Sequence, residues 1–138
     1  MVVSPADGLI QSIQEVLPPP ELEMGDQSFN RIAIFMNIFD VHVNRIPIAG
    51  IVTKLAYCPG KFINASLDKA SEDNERNYLL LTNSTGEEIV LVQIAGMIAR
   101  RIVCDVKEGD TLNQGDRFGM IRFGSKVDIY LQNYDLLV

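Results

Sequence analysis

Short apolar runs, rich in β-branched residues and separated by turn residues, constrain the fold of this chain more than any other feature. Runs such as Leu9–Val16 and Glu88–Ile94 have the length of strands and lack the spacing of an amphipathic helix. Gly, Pro, Asn and Asp fill the breaks. The pattern predicts an all-β fold, a sandwich or barrel, with one short helix near 65–70. The predicted strands are Leu9–Val16, Arg31–Asn37, Gly50–Tyr57, Tyr78–Thr82, Glu88–Ile94, Met97–Val103, Asp116–Phe123 and Lys126–Leu131.

Size and charge exclude several classes of protein. The 138 residues fit a single domain, residues 1–138, and an apolar content of 47% argues against disorder. Twelve Lys and Arg against eighteen Asp and Glu give a net charge of −6, so a nucleic-acid partner is not expected. The apolar run 89–99, interrupted by Gln93, is shorter than the roughly 20 residues of a membrane-spanning helix. We therefore predict no transmembrane segment in this chain.

Cysteine and histidine are too few for the common metal sites. Cys58 and Cys104 form no CxxC pair, and we expect two reduced, buried thiols. His42 is the only histidine, so a His-rich site cannot form. We predict no bound metal.

Four polar segments could carry chemistry, although each alone is more typical of a turn or a strand end. Asp7 lies in a turn, and His42, suited to proton transfer near neutral pH, lies among alternating apolar residues. Residues 74–77, Asn-Glu-Arg-Asn, predict a polar turn with a weak ion pair. Gly124 precedes Ser125, and a serine hydroxyl can attack an adjacent unshielded glycine carbonyl when a base and an oxyanion donor assist.

Taken together and in this order, the segments resemble those of the phosphatidylserine decarboxylase proenzymes. The resemblance covers nearly the whole chain, from residue 2 to residue 131. Its long, ordered blocks make it specific. They are VVSPADG at 2–8, FMNIFDVHVNR at 35–45, PG at 59–60, NERN at 74–77 and GMIRFGSKVD at 119–128.

The resemblance implies a self-cleaving enzyme. Ser125 would attack the carbonyl of Gly124, dividing the chain into residues 1–124 and 125–138, which remain partners. Ser125 would become a pyruvoyl group, the only cofactor implied. His42, with Asp7 as its carboxylate partner, matches the acid–base positions of the family. The pyruvoyl enzyme would convert phosphatidylserine to phosphatidylethanolamine, with His42 returning a proton to the α-carbon.

The implied substrate also suggests binding residues and a location. A cationic side chain would hold the phosphodiester, and Arg45 and Lys61 are weak candidates, with the neighbouring pair 100–101 as further ones. The resemblance implies peripheral association with the cytoplasmic face of a membrane. It leaves a homo-oligomer open.

The sequence departs from the family pattern at both ends and at one internal position. Members carry a further N-terminal part and continue beyond residue 131 with another hairpin, so we expect this chain to be the core of a longer protein. Arg45 stands where another branch has a second histidine, so His42 is expected to serve both cleavage and decarboxylation.

Three other interpretations stay open. The first is a non-catalytic relative that binds a phospholipid head group or a protein. The second is a lipoyl-type carrier, because Val103–Ile121 resembles the glycine-punctuated hairpins of barrel-sandwich hybrid domains and residues 68–70 read Asp-Lys-Ala. The third is a pyruvoyl decarboxylase that acts on another amine.

Overall fold

Two antiparallel sheets form nearly all of the regular structure. The computed structural model describes residues 2–36, 43–61, 65, 70–96, 102–121 and 125–132. Within these ranges there are ten strands, one helical turn α1 (Ala70–Asp73) and one 3-10 turn (Pro20–Leu22). The strands are β1 (Leu9–Val16), β2 (Phe29–Met36), β3 (Val43–Arg45), β4 (Gly50–Cys58), β5 (Arg76–Thr82), β6 (Glu88–Ile94), β7 (Ile102–Cys104), β8 (Thr111–Leu112), β9 (Arg117–Ile121) and β10 (Ser125–Leu131).

Strand β10 lies inside the larger sheet. That sheet has seven strands in the order β1-β2-β10-β6-β5-β4-β8, and the smaller sheet has three in the order β3-β9-β7. β10 pairs with β2 on one side and β6 on the other, and all seven of its residues are buried. A strand bonded along both edges is held firmly, and this strand carries Ser125.

Both faces of the larger sheet are covered at its centre, which explains its uninterrupted apolar strands. On one face, Phe118 of β9 packs in a cluster with Leu79, Leu91 and Ile129. On the other face, the 3-10 turn and α1 contribute Leu22 and Ala70 to a cluster that includes Val92. Strands buried on both faces are apolar throughout rather than alternating. The central part of the fold is therefore a β-sandwich.

The predicted all-β class is confirmed. The larger sheet keeps two edges, β1 and β8, so it is open rather than a closed barrel. The predicted strands Leu9–Val16 and Glu88–Ile94 have their observed bounds, and most others differ by one or two residues at an end. Residues 37, 122 and 123, at the ends of two predicted strands, lie outside the described residues. Of the predicted strand Met97–Val103, residues 97–101 lie outside the described residues, and β7 begins at Ile102.

Three short elements were missed or misplaced. β3 and β8 were not predicted, because two or three residues carry too little periodicity to be recognised. The helix predicted near 65–70 is a single turn at Ala70–Asp73, and residues 66–69 lie outside the described part of the chain. Among the residues described, no helix has the length and hydropathy needed to cross a bilayer.

Gly119 lets the two sheets approach each other closely. A Cβ at this position would overlap the carbonyl oxygen of Val103 and lie 2.5 Å from Nε2 of Gln93. We expect Gly119→Ala to lower the free energy of unfolding by about 1–3 kcal/mol, since the added methyl overpacks a buried contact. Urea unfolding checks this, with Ser84→Ala in an exposed turn as a control expected within about 0.5 kcal/mol of the parent. Equal stability of the two variants would contradict the expectation.

Candidate active site

Two connections between the sheets carry the predicted chemistry. Residues 37–42 connect β2 of the larger sheet to β3 of the smaller sheet, and His42 ends this first connection. Residues 122–124 connect β9 of the smaller sheet to β10 of the larger sheet, and Gly124 ends this second connection. His42 and Gly124 themselves lie outside the described residues. The strands that flank them are described, and these strands locate the ends of both connections.

The flanking strands place the ends of the two connections side by side. In the larger sheet, Met36 at the end of β2 pairs with Ser125 at the start of β10. In the smaller sheet, Val43 at the start of β3 pairs with Met120 near the end of β9. The first connection therefore leaves the larger sheet where the second connection enters it. The first connection enters the smaller sheet close to where the second connection leaves it. The topology therefore brings the ends of the two connections together.

Ser125 is fully buried at the first position of β10. Side chains alternate along a strand, so Ser125 shares a face with Val127. Val127 packs with Met36 of β2 and Ile121 of β9, which shows that this face meets the smaller sheet. The hydroxyl of Ser125 therefore lies in the interface between the sheets, where bulk water is excluded.

The N-terminal segment lies at the same end of the sheets and carries Asp7. The backbone N–H of Arg45 donates to the carbonyl oxygen of Pro5 at 2.8 Å, which ties the segment to β3. A Cβ on Gly8 would overlap the carbonyl oxygen of Phe35, so glycine allows the segment to lie against β2. Asp7 lies between these two anchors, and its side chain is exposed. Asp7 thus lies near the flanks of both His42 and Gly124.

The two candidate phosphate-binding residues lie in different parts of the fold. Arg45 belongs to β3, three residues after His42, and its exposed guanidinium donates from Nη1 to the carbonyl oxygen of Gly115 at 3.2 Å. Lys61 is also exposed, and it follows β4 and bridges to Asn74. β4 and β10 are three strand spacings apart, roughly 14 Å. The guanidinium of Arg45 thus lies beside Gly115, before the start of β9, whereas the second connection follows the end of β9.

Three buried amides between the sheets were missed by the sequence analysis. Gln93 of β6 accepts a hydrogen bond at Oε1 from Nδ2 of Asn77, at 3.2 Å. Its Nε2 donates to Oδ1 of Asn44 and to the carbonyl oxygen of Val103, each at 3.0 Å. We name Asn77, Gln93 and Asn44 the amide bridge. The only sequence signal was one glutamine inside an apolar run, which does not identify its partners.

The segment 74–77 is not the polar turn that the sequence predicts. Arg76 begins β5 and is buried, because that strand lies inside the larger sheet. Its Nε donates to the hydroxyl of Tyr78 at 2.6 Å, and its Nη1 donates to the carbonyl oxygen of Asn74 at 2.8 Å. Burial raises the pKa of Tyr78, so this hydroxyl stays neutral and can accept the bond. The ion pair of Arg76 is with Glu21, at 3.9 Å.

Arg76 and Ser125 lie on opposite faces of the larger sheet. Arg76 pairs with Ile94, and Ile94 pairs with Lys126, so all three point to one face. Ser125, the neighbour of Lys126, points to the other face. Arg76 therefore supports the fold on the face away from Ser125, whereas its neighbour Asn77 belongs to the amide bridge on the other face.

The two cysteines are separate, partly buried thiols. Cys58 lies on β4 of the larger sheet and Cys104 on β7 of the smaller sheet. Neither forms a disulfide. Their separation agrees with the predicted reduced thiols, although both are less buried than expected.

One known protein family matches nearly the whole chain. The sequence model of the family described as phosphatidylserine decarboxylase matches residues 1–137. The chain belongs to the phosphatidylserine decarboxylase family. The resemblance of the sequence blocks is thereby confirmed.

Curated relatives share more than half of their matched residues with this chain. A phosphatidylserine decarboxylase proenzyme from Pelagibacter ubique is 58% identical over 137 residues, covering 99% of this chain and 64% of the relative. Proteins of the same name from Cereibacter sphaeroides and Rickettsia africae are 60% and 61% identical over 131 residues. Those matches cover 95% of this chain and 56% and 57% of the relatives. The chain thus spans about three fifths of the length of these phosphatidylserine decarboxylase family members.

Proposed function

We propose that this chain is the core of a pyruvoyl-dependent enzyme that converts phosphatidylserine to phosphatidylethanolamine after cleaving itself between Gly124 and Ser125. Membership of the phosphatidylserine decarboxylase family supports the reaction. The pairing of Met36 with Ser125 supports the site most directly, because it joins the strand leading toward His42 to the strand that begins at the scissile bond. Both the self-cleavage and the decarboxylation then take place at the two connections between the sheets.

The proposed cleavage begins with the buried hydroxyl of Ser125. Its Oγ attacks the carbonyl carbon of Gly124 and the peptide C–N bond breaks, which leaves an ester and a free amine. Removal of the α-proton of Ser125 then expels the carboxylate of Gly124 from Cβ and leaves dehydroalanine. Its imine tautomer takes up water and releases ammonia, so that residue 125 ends as a pyruvoyl group. Burial of Ser125 supports this route, since water would otherwise hydrolyse the ester.

His42 and Asp7 are the proposed acid–base pair. The attack needs a base for the hydroxyl proton, and the elimination needs one for the α-proton. His42 is the only histidine, and the ends of its connection adjoin those of the connection that carries Gly124. Asp7 lies in the segment anchored on β2 and β3, where a carboxylate can orient the imidazole.

The position of residue 125 fits a pyruvoyl group. The group is no larger than the serine it replaces, so the buried start of β10 can hold it without a new cavity. Pairing of residues 126–130 with both β2 and β6 would keep the piece 125–138 bound to 1–124 after cleavage. When present, the pyruvoyl group would supply a ketone for condensation with the substrate amine and an acceptor for the electron pair released as the carboxylate leaves as CO₂.

The remaining roles fall to side chains around the connections. His42 returns a proton to the α-carbon after CO₂ has left. Arg45 and Lys61, both with exposed side chains, are the candidates for binding the phosphodiester. The substrate is a lipid, so we propose that the enzyme works as a peripheral protein at the cytoplasmic face of a membrane, with a homo-oligomer left open.

A denaturing mass spectrum of the purified chain tests the cleavage. We expect two pieces, residues 1–124 and 125–138, the second lighter than the corresponding serine peptide by one ammonia. Ordinary proteolysis at the same bond would retain that ammonia, so the mass of the small piece separates the two chemistries. An intact chain would contradict self-cleavage and favour a non-catalytic relative.

An activity assay on the same sample tests the substrate. Phosphatidylcholine vesicles containing phosphatidylserine should yield CO₂ and phosphatidylethanolamine. Free serine is the control, and we expect no CO₂ from it. Turnover of free serine without lipid would contradict the phospholipid assignment and leave the cleavage unaffected.

A further inference from the structure

Gln93 connects the two sheets next to the strand that carries Ser125. It is fully buried and lies opposite Val127 of β10 in the larger sheet. Both N–H groups of its amide are used, one toward Asn44 of β3 and one toward Val103 of β7. Its oxygen accepts from Asn77. The side chain therefore has one orientation and holds two strands of the smaller sheet against the larger one.

Packing alone does not account for an amide at this position. The same face of the larger sheet carries apolar side chains such as Leu79 and Leu91, which pack in one cluster with Phe118 of β9. An apolar residue at 93 would join them without the desolvation of a buried amide. A fully bonded polar network instead selects one relative arrangement of the elements it connects. The amide bridge thus indicates a geometric requirement between the sheets.

Asn44 shows which geometry the bridge controls. It is fully buried in β3, two residues after His42. Its Nδ2 contacts Sδ of Met36 at 3.7 Å, and Met36 is the cross-strand partner of Ser125. Asn44 therefore links β3, the strand that follows His42, to the strand pair that holds Ser125.

We propose that Gln93 is a positioning residue for self-cleavage. By holding Asn44, it fixes β3, and with β3 the chain at His42, relative to Ser125. The effect on rate is expected to be large, because a misplacement of about 1 Å between reacting groups can slow a reaction about 100-fold. This inference rests on the proposed function and adds a residue to it.

Two substitutions at Gln93 test the proposal by the rate of self-cleavage of freshly translated chain. Gln93→Met keeps the length of the side chain and removes the donors, and we expect cleavage to slow at least about tenfold. Gln93→Glu keeps the shape but makes the donor depend on pH. Its protonated carboxyl can still donate to Oδ1 of Asn44, whereas the ionised form would face two oxygen acceptors. We expect its rate, relative to the parent at each pH, to fall as pH rises.

Ser71→Ala is the matched control. Ser71 donates to Oδ2 of Asp128 at 2.8 Å, so the variant also loses a buried hydrogen bond to a strand of the larger sheet. Asp128 lies on the face of β10 away from Ser125. We expect Ser71→Ala to cleave within about twofold of the parent, even if its melting temperature falls as far as that of Gln93→Met. Melting curves give the folded fraction by which each rate is divided.

The outcomes separate this inference from the proposed function. Slow cleavage of Gln93→Met, with normal cleavage of Ser71→Ala, supports the positioning role. If Gln93→Met does not fold, the pH series of Gln93→Glu decides, and a constant ratio to the parent would overturn the inference. Parent-like cleavage of a folded Gln93→Met would overturn it as well, while the proposed function would stand. A parent chain that never divides would overturn both.

Discussion

Ser125→Ala is expected to remain a single chain of 138 residues with no pyruvoyl group. Alanine lacks the oxygen that attacks Gly124 and that later leaves with its carboxylate, so neither the ester nor the elimination can occur. The loss of cleavage should be complete. Electrophoresis and a denaturing mass spectrum of the purified variant give the result directly, and the decarboxylation of phosphatidylserine should disappear with it.

The fold of this variant should be preserved, which makes the result interpretable. Ser125 is followed by six buried residues that pair with β2, and the backbone bonds of that pairing do not involve the hydroxyl. Loss of the hydroxyl should change the free energy of unfolding by only about 1 kcal/mol. Ser125→Cys is the informative companion, because a thiol is still a nucleophile and should restore some cleavage. Normal splitting of Ser125→Ala would show that the scissile bond or the nucleophile lies elsewhere.

The local sequence pattern was enough to predict most strands of the larger sheet. β1 and β6 are long, rich in Ile, Leu and Val, and bounded by turn residues, so their limits followed from the sequence. β3 did not, because its three residues include Asn44 and Arg45 and carry no periodic signal. β3 forms because β9 lies beside it and pairs with it from Val43 onward. Tertiary pairing, and not local preference, determines this strand.

The candidate active site depends on contacts between residues that are distant from one another in the chain. Asp7, His42 and Ser125 were chosen through the family resemblance, and no local pattern shows that Met36 pairs with Ser125. The amide bridge was missed for the same reason, since Gln93 and Asn44 come from different sheets. Sequence identified the residue types suited to the chemistry. The strand order explains why the chain around them converges.

His42→Ala should slow decarboxylation by roughly 100- to 10,000-fold, the usual effect of removing a general acid or base. The chain has one histidine, so it offers no other imidazole to return the proton to the α-carbon. Arg45, three residues further on, cannot substitute, because a guanidinium does not give up its proton at neutral pH. Turnover is measured on phosphatidylserine vesicles and divided by the amount of pyruvoyl group, since the variant should also cleave itself slowly.

The pH dependence of the parent separates the two tasks of His42. Cleavage needs the neutral imidazole as a base, so its rate should rise with pH across the range in which histidine titrates, roughly pH 5 to 8. Decarboxylation needs the protonated form as an acid, so its turnover should fall across the same range. Opposite slopes from a chain with a single histidine would assign both tasks to one side chain.

The His42→Ala chain supplies the control for those slopes. Both pH dependences should disappear in it. Added imidazole should restore part of the decarboxylation, because its protonated form can occupy the space left by the side chain and donate the proton. A structural defect would not respond to imidazole. Unchanged turnover per pyruvoyl group in this variant would exclude His42 as the proton donor. The acid would then have to come from another group near the two connections, and Asp7, anchored between β2 and β3, would be the next residue to replace.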